Sequence, residues 1–348
     1  MNRARQDIGG LLRLRLSPDA LGGVLIFVTD RCNARCAPCF YWRNLENPAP
    51  EMGIEDYRRM AGGLGKVHKL MLSGGEPFLR DDLADVAGAL MRGSGASRMD
   101  IATNGTLPER IFDTARILCA SFPDREFSIS VSVDGPRDIH NRIRGADCHN
   151  TAIESLDRLI KLSDETPNLL PGAILTLSRL NEASAIATLM ELRKNGVPHV
   201  EVSVARGTGR GDDQLAPDPE TTGEVFAFLN CEGRSRWQSG SGAALARYRR
   251  KTQLALLEGR TVRLKCCAAR RFVAVMPSAD VFPCPGFSER LGNLRESGWD
   301  MRAILESGKA GRIRDQIRAG ACKCTLECAM DWSVFYDWRA DAAVIGGA

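Results

Sequence analysis

Short runs of β-branched and aliphatic residues recur along the first part of the chain, at 24–28, 69–72, 99–102, 127–133, 173–177 and 200–204. Each is followed by turn chemistry, and each predicts a strand. Between them the apolar positions repeat at helical spacing, near 54–64, 83–91, 108–119, 152–162 and 183–194. Strict alternation of strand and helix implies a parallel sheet with right-handed crossovers. Six units are too few to close an eight-stranded barrel, so the pattern predicts an α/β partial (β/α)6 barrel. After about residue 212 the rhythm changes. A polar, proline-containing stretch (213–222) leads to a short helix (224–230), a Gly- and Ser-rich loop (233–242) and a helix at 243–257. A cysteine-bearing segment then occupies 261–332. The chain divides into an N-terminal segment (1–22), the barrel (23–212), a helical linker (213–260) and a small C-terminal domain (261–348). No internal repeat is present, and residues 340–348 carry no chemical signal.

In parallel barrels chemistry gathers where strands end and loops begin. The notable polar residues follow that rule. A cysteine loop follows the first predicted strand and Ser73-Gly74-Gly75-Glu76-Pro77 follows the second. Thr103-Asn104-Gly105 follows the third, Ser130, Ser132 and Asp134 close the fourth, Ser178 closes the fifth, and the run from Arg206 to Gly211 follows the sixth.

The 348 residues are 44% hydrophobic and 26% charged, enough for one large domain and a small one. No apolar stretch approaches a membrane span, and no signal core follows the charged N-terminus, so a cytoplasmic protein without a membrane partner is expected. A net charge of +4 points to no particular partner. The dense run Arg247, Arg249, Arg250, Lys251 reads as the wet face of a helix, and nucleic acid is not an expected partner. Twelve cysteines in a reducing compartment suggest metal ligation rather than disulfides. Nine fall into two groups. Cys119, Cys148 and Cys231 stand alone and read as small buried apolar residues.

Cys32, Cys36 and Cys39 form a C-x3-C-x2-C run. Three thiolates on one tight loop hold three irons of a [4Fe–4S] cluster and leave the fourth iron open for a small molecule. Zinc would need a fourth ligand, and no histidine lies near. One strand later, Gly74 and Gly75 let the backbone approach a ligand without a Cβ clash. A plain strand-to-helix turn is the simpler reading of that pair alone. Taken together, the two motifs resemble those of the radical S-adenosylmethionine (SAM) enzymes, over about residues 23–211. The resemblance implies that SAM binds the open iron through its amino and carboxylate groups, and that an electron from the cluster cleaves it to methionine and a 5′-deoxyadenosyl radical. It also implies that Gly74, Gly75, Glu76 and Pro77 surround the SAM ammonium, and that Ser130, Ser132 and Asp134 hold the ribose and carboxylate. Arg144 matches an arginine that pairs with the SAM carboxylate, a task suited to its two-pronged fork. Its alternative is a surface ion pair. Thr103 and Asn104 are expected to line the cavity, although Asn104-Gly105 also reads as a turn. Many relatives carry an aromatic residue just before the third cysteine. Here Pro38 stands there, so adenine packing falls to Phe40, Tyr41 or Trp42.

The order of Cys266, Cys267, the apolar run 272–276, Cys284, Gly292, Cys322, Cys324 and Cys328 resembles the SPASM/twitch extension of radical SAM enzymes, over about residues 261–332. Ala279 stands where relatives usually have a hairpin glycine. The cysteines after Gly292 are too few for two clusters, so the resemblance implies one auxiliary [4Fe–4S] cluster. Its ligands are expected to be Cys266, Cys284 and two of Cys322, Cys324 and Cys328, with Cys324 and Cys328 favoured. A structural zinc site is the alternative. The implied reaction needs an electron donor such as flavodoxin or ferredoxin and a site closed to water. The short stretch before the first strand has no room for a leader-binding domain. A small-molecule substrate is therefore expected: a sugar, nucleoside or nucleotide of natural-product assembly. Arg206, Arg210 and the glycines beside them suit a phosphate, although a solvated loop is the simpler reading of that stretch. Peptide oxidation or crosslinking is the alternative, and a non-catalytic iron–sulfur electron carrier is a third reading. No residue is singled out for the hydrogen-abstraction step itself.

Overall fold

The structure is a computed structural model that describes residues 15, 17, 20–206, 209–210, 214–231, 240–320 and 325–340. Six strands run parallel in sequence order: β1 (Leu21–Phe27), β2 (Val67–Ser73), β3 (Arg98–Thr103), β4 (Glu126–Ser132), β5 (Leu169–Leu177) and β6 (Val200–Val204). The crossover helices include α2 (Ile54–Gly63), α3 (Leu83–Ser94), α4 (Pro108–Ser121), α6 (His149–Glu165) and α7 (Ala185–Lys194). Two further helices sit in the loops at strand ends, α1 (Trp42–Glu46) and α5 (Arg137–Arg144). The partial barrel expected from the alternation is present, and its sheet does not close. β1 is buried along its whole length, as a parallel strand covered on both faces must be.

β5 starts four residues before the predicted run because it contains Pro171 and Gly172, which break the pattern. The sheet tolerates Pro171 because β6 joins β5 only from Ala173 onward, so at the proline the strand has a neighbour on one side only.

Beyond α8 (Pro219–Cys231) and α9 (Gly240–Leu257), the chain returns to the sheet. β7 (Phe272–Val275) pairs parallel with β1 on the side away from β2, and β8 (Asp280–Phe282) and β9 (Gly292–Asn293) add on antiparallel. The C-terminal segment therefore extends the barrel sheet to the order β6-β5-β4-β3-β2-β1-β7-β8-β9. Helices α10 (Met301–Glu306), α11 (Gly308–Arg318) and α12 (Glu327–Phe335) follow.

α12 connects the two edges of the barrel. Its Trp332 lies on β1, where a Cβ on Gly22 or Gly23 would stand 2.4 or 2.2 Å from the indole. Only glycine admits so close an approach. At its other end Glu327 accepts hydrogen bonds from the Val204 amide and the Ser203 hydroxyl of β6, each at 3.0 Å. Between these anchors, Arg249 on α9 bonds Glu201 of β6 and lies 2.8 Å from Asp331 of α12.

This last contact corrects one expectation. The basic run 247–251 is not a wet face, since Arg249 is 1% and Arg250 7% exposed. Side chains from other elements meet these guanidiniums, Glu201 and Asp331 for Arg249 and Asn230 for Arg250, and Gln253 one turn along the same helix also accepts from Arg249. Cys231 is likewise exposed rather than buried, while Cys119 and Cys148 are buried as expected. No described helix is long and apolar enough to cross a membrane.

Candidate functional site

The cysteine loop leaves the end of β1 and is fixed by its backbone. Gly75 and Glu76 donate their amides to the carbonyls of Thr29 and Arg31, each at 2.8 Å. Arg35 and Ala37 donate to the carbonyls of Arg144 and Ile143 at 2.9 and 2.8 Å. Those carbonyls belong to the last turn of α5, which has no partners of its own to offer them, so the loop completes the helix end. From the far side, the Arg210 amide donates to the Ala37 carbonyl at 2.9 Å. The loop is thus clamped by the second, fourth and sixth strand-end loops.

The two glycines act differently from the expectation. A Cβ on Gly75 would stand 2.1 Å from the Arg31 carbonyl oxygen, and one on Gly74 (φ +138°) 2.5 Å from that of Thr29. Their lack of a side chain lets the cysteine loop pack against β2, and two amides of this motif are already occupied there. Both glycines still border the cavity described next.

Cys32, Cys36 and Cys39 border one cavity of about 240 Å³ at the C-terminal ends of the strands. Burial pushes the Cys39 thiol up to about 11 and also raises Cys32. Metal binding must displace protons from such thiols. The three thiols lie near enough to feel one another's charge, as the corners of one cluster require.

Glu76 is 1% exposed, and its carboxylate accepts from the Phe78 amide (3.2 Å), the Thr103 hydroxyl (2.8 Å) and the Asn104 amide (2.7 Å). It straps the end of β2 to the end of β3. Burial raises its pKa to about 7, against these donors and Arg144. Asn104 also donates to the Asn33 side chain at 2.8 Å, tying the cysteine loop to β3. Thr103 and Asn104 border the cavity, while Pro77 begins a short buried turn and does not line it.

On β4, Ser132 borders the cavity and Ser130, two residues earlier on the same face, sits one layer deeper. Asp134 is fully buried. Its carboxylate lies 2.7 Å from Arg144 Nε and accepts the Thr176 amide at 2.8 Å. Asp134 therefore faces Arg144 and β5 in this structure. Arg144 borders the cavity and points Nη1 at the Cys36 sulfur, 3.7 Å away. Burial alone would lower the Arg144 pKa, but Asp134 and Cys36 outweigh it and keep the guanidinium charged.

Tyr41 stacks on Phe27 at 4.4 Å between ring centroids and donates to Asp30, so its ring is fixed to β1. Phe40 is 50% exposed at the cavity rim with the Arg206 guanidinium 5.8 Å from its ring centre. Of the two aromatics, Phe40 is the one with a free face. Arg206 borders the cavity and reaches Glu327 at 3.5 Å, whereas Arg210 pairs with Glu46 and lies over Trp42.

The C-terminal cysteines divide. Cys284 is buried, and Cys328 lies near enough to feel both it and Arg206. Cys266 is exposed and opens onto a second cavity of about 530 Å³ shared with Ala329 and Ser333 of α12. Cys267 is buried against the same helix, its amide donating to Ser333 at 3.0 Å. Cys322 and Cys324 lie outside the described residues. A larger groove of about 1210 Å³ at the opposite end of the strands, beside Leu21 and Lys66, contains none of the predicted site residues.

Sequence reading missed Glu327, Arg249 and the pairing of Trp332 with Gly22 and Gly23. The one local signal was the Gly22-Gly23 pair inside an apolar strand, which marks a close approach.

An open parallel barrel that presents three thiols and a Gly-Gly-Glu strap at its strand ends is the frame of a radical SAM enzyme. Residues 26–174 match the profile of the Radical SAM superfamily. The chain is 27% identical over 326 residues to AdoMet-dependent heme synthase of Methanosarcina barkeri (strain Fusaro / DSM 804), covering 87% of this chain and 88% of that protein. It is 32% identical over 207 residues to GTP 3′,8-cyclase of Synechococcus sp. (strain CC9902), covering 57% of this chain and 50% of that protein. Among solved structures, native anSMEcpe with bound AdoMet shares the fold with a TM-score of 0.62 at 17% identity, over 94% of this chain and 100% of that one. Streptococcus suis SuiB bound to precursor peptide SuiA shares it at 0.60 and 15% identity, over 89% and 70%. Residues 26–174 thus form a radical SAM domain, and proteins of that superfamily use a [4Fe–4S] cluster and SAM.

Proposed function

We propose that this radical SAM enzyme abstracts hydrogen from a small molecule, of the sugar, nucleoside or nucleotide class, in natural-product biosynthesis. The observation that carries this reading is the match along nearly the whole chain to AdoMet-dependent heme synthase, joined by the match to GTP 3′,8-cyclase. Both names denote small-molecule chemistry. Arg206 supports an anionic substituent on the substrate. Its contact with Glu327 is the longest of four, since Val204, Ser203 and Gln253 donate to the same carboxylate at 2.9–3.0 Å. Turning the guanidinium toward a ligand would leave Glu327 bonded.

In this reading Cys32, Cys36 and Cys39 hold the first cluster, and SAM lies among Gly74, Gly75, Thr103, Asn104, Ser132 and Phe40. Cluster and SAM, when bound, supply one electron and a hydrogen-abstracting radical. The chain's own residues do the rest. Glu76 and Asn104 lock the cysteine loop to the sheet, and Phe40 offers an aromatic face at the rim. α12 spans the barrel edges and keeps water out of the interior. A twitch-like auxiliary [4Fe–4S] cluster on Cys266, Cys284, Cys324 and Cys328, with Cys322 as the alternate ligand, is supported by the nearness of Cys284 to Cys328. A low-potential donor of the flavodoxin or ferredoxin type supplies the electron.

Anaerobically reconstituted, dithionite-reduced protein should convert SAM to 5′-deoxyadenosine, read by mass spectrometry, and should carry about eight irons. Cys36→Ala should abolish cleavage and keep the C-terminal iron. Full cleavage by Cys36→Ala would overturn the first site, and a native count near four would remove the auxiliary cluster. Deuterium passing into 5′-deoxyadenosine from a labelled nucleotide or sugar supports the substrate class. Transfer only from a labelled peptide would assign peptide modification instead.

A further inference from the structure

We propose that Arg144 is a positioning residue that sets the reduction potential of the first cluster through its N–H···S contact with Cys36. The inference rests on the cluster site proposed above and goes beyond the carboxylate-binding task expected of this arginine. Three observations carry it. Nη1 of Arg144 lies 3.7 Å from the Cys36 sulfur, at hydrogen-bonding distance for that acceptor. The guanidinium is held in place: Nε faces Asp134 at 2.7 Å, Asp134 is anchored by the Thr176 amide at 2.8 Å, and the Asp134 backbone is fixed by His140 and Asn181 at 3.1 and 2.8 Å. The pair is also shielded from water, with side-chain exposures of 11% for Arg144 and 0% for Asp134.

Potentials of iron–sulfur clusters respond to hydrogen bonds at the sulfurs, to net charge and to solvent exposure. Adding one electron from a low-potential donor makes the cluster and its thiolates more negative, and no other bond forms or breaks. A cationic donor held against a ligating sulfur stabilises the more negative state, and in a dry site the effect is only weakly screened. Asp134 works against this, because its carboxylate cancels much of the distant field of Arg144 and leaves the local N–H···S contact as the dominant influence. Removing the arginine and removing the carboxylate's charge should therefore move the potential in opposite directions. A merely structural role for the pair would move it the same way in both variants.

The test is a redox titration without SAM, following by EPR the reduced-state signal that Cys36→Ala removes. At the potential where the native cluster is half reduced, Arg144→Met should lower the ratio of reduced to oxidised cluster about tenfold, which is a 59 mV downward shift for one electron. Arg144→Lys should recover most of that ratio, and Asp134→Asn should raise it above native. Ratios for Arg144→Met within twofold of native would overturn the inference, as would a downward shift in Asp134→Asn. If Arg144→Met does not fold, the Lys and Asn variants decide by the same criteria. A native protein with no Cys36-dependent signal would defeat the cluster site itself, a result distinct from an unmoved potential.

Discussion

The contact between Trp332 and the glycine pair of β1 can be tested by a double-mutant cycle. A Cβ on Gly23 would stand 2.2 Å from the indole Nε1 and 2.8 Å from the Met71 methyl. The methionine end can bend away. The indole cannot do so freely, because it is 8% exposed and meets His68 and Phe335 edge-on at 5.9 and 5.8 Å. Overpacking of this kind costs about 1–3 kcal/mol. Glycine to alanine in a strand returns about 0.4–1 kcal/mol by restricting the unfolded chain. Gly23→Ala should therefore destabilise by roughly 1–2 kcal/mol.

Trp332→Ala alone should cost about 3–5 kcal/mol, the range for emptying a buried aromatic site. In the double variant the added methyl enters the space the indole has left, so the clash disappears. The double variant should be no less stable than Trp332→Ala, giving a coupling of roughly 2 kcal/mol, well outside the ~0.5 kcal/mol scatter of independent sites. Urea unfolding of the anaerobic protein, followed by far-UV circular dichroism with unchanged slopes, measures all four corners. Additive losses would mean that Gly23 and Trp332 do not touch and that α12 is not seated on β1. Trp332→Leu replaces the alanine variant if the latter cannot be purified.

Two further predictions concern buried charge. Arg249→Met leaves Glu201 and Asp331 without their shared cation; because both carboxylates keep some solvent contact, the loss should sit at the lower end of the buried-pair range, about 3 kcal/mol, again by urea unfolding. An unchanged midpoint would show that α12 is not held there. Burial, with Arg144 and His149 nearby, lowers the His140 pKa to about 3, so the folded protein keeps it neutral while the unfolded chain gains a proton below about 6.5. Its stabilisation is present above that pH and is lost on acidification. The destabilisation caused by His140→Gln should accordingly shrink by up to about 2 kcal/mol between pH 7 and pH 5, and a pH-independent difference would refute the assignment. Comparison with the variant is needed because Glu76, raised to about 7, has the opposite dependence between about 4.5 and 7.

The barrel was legible because β1, buried on both faces, reads as an unbroken apolar run from Val24 to Val28, and because β4 and β6 alternate apolar with polar residues at strand spacing. α5 was not legible. It is short and charge-rich; Gly145, left-handed at φ +61°, ends it, and the cysteine loop donates amides to its last carbonyls, a contact between residues far apart in sequence. Arg144 could be named from its match to a family arginine, yet nothing in the spacing tells that its fork is turned to a sulfur. The same limit hid Arg249. A run of basic residues on a helix looks solvated until the carboxylates that bury it are known, and Glu201 and Asp331 lie on opposite sides of it in the chain. The pairing of β7 with β1 was out of reach for a similar reason. An apolar hairpin announces a strand, but nothing in its composition says which edge it joins.

The contacts of α12 join the cavity's geometry to the barrel's stability. The helix begins with Glu327, whose carboxylate is bonded to β6 and to Arg206 at the cavity wall, and Cys328 follows it directly. Five residues on, Trp332 rests on β1, the strand that delivers the cysteine loop. A shift of this helix by even a fraction of a turn would move Cys328 and disturb the contacts that hold Arg206 and β1, since packed interfaces change by discrete steps rather than by continuous yielding. Substitutions at Gly23 or Arg249, neither of which lines the cavity, should for that reason alter the cavity as well as the midpoint of unfolding. The open edge of a six-stranded barrel is in this chain a place where a C-terminal helix ties the first strand to the last.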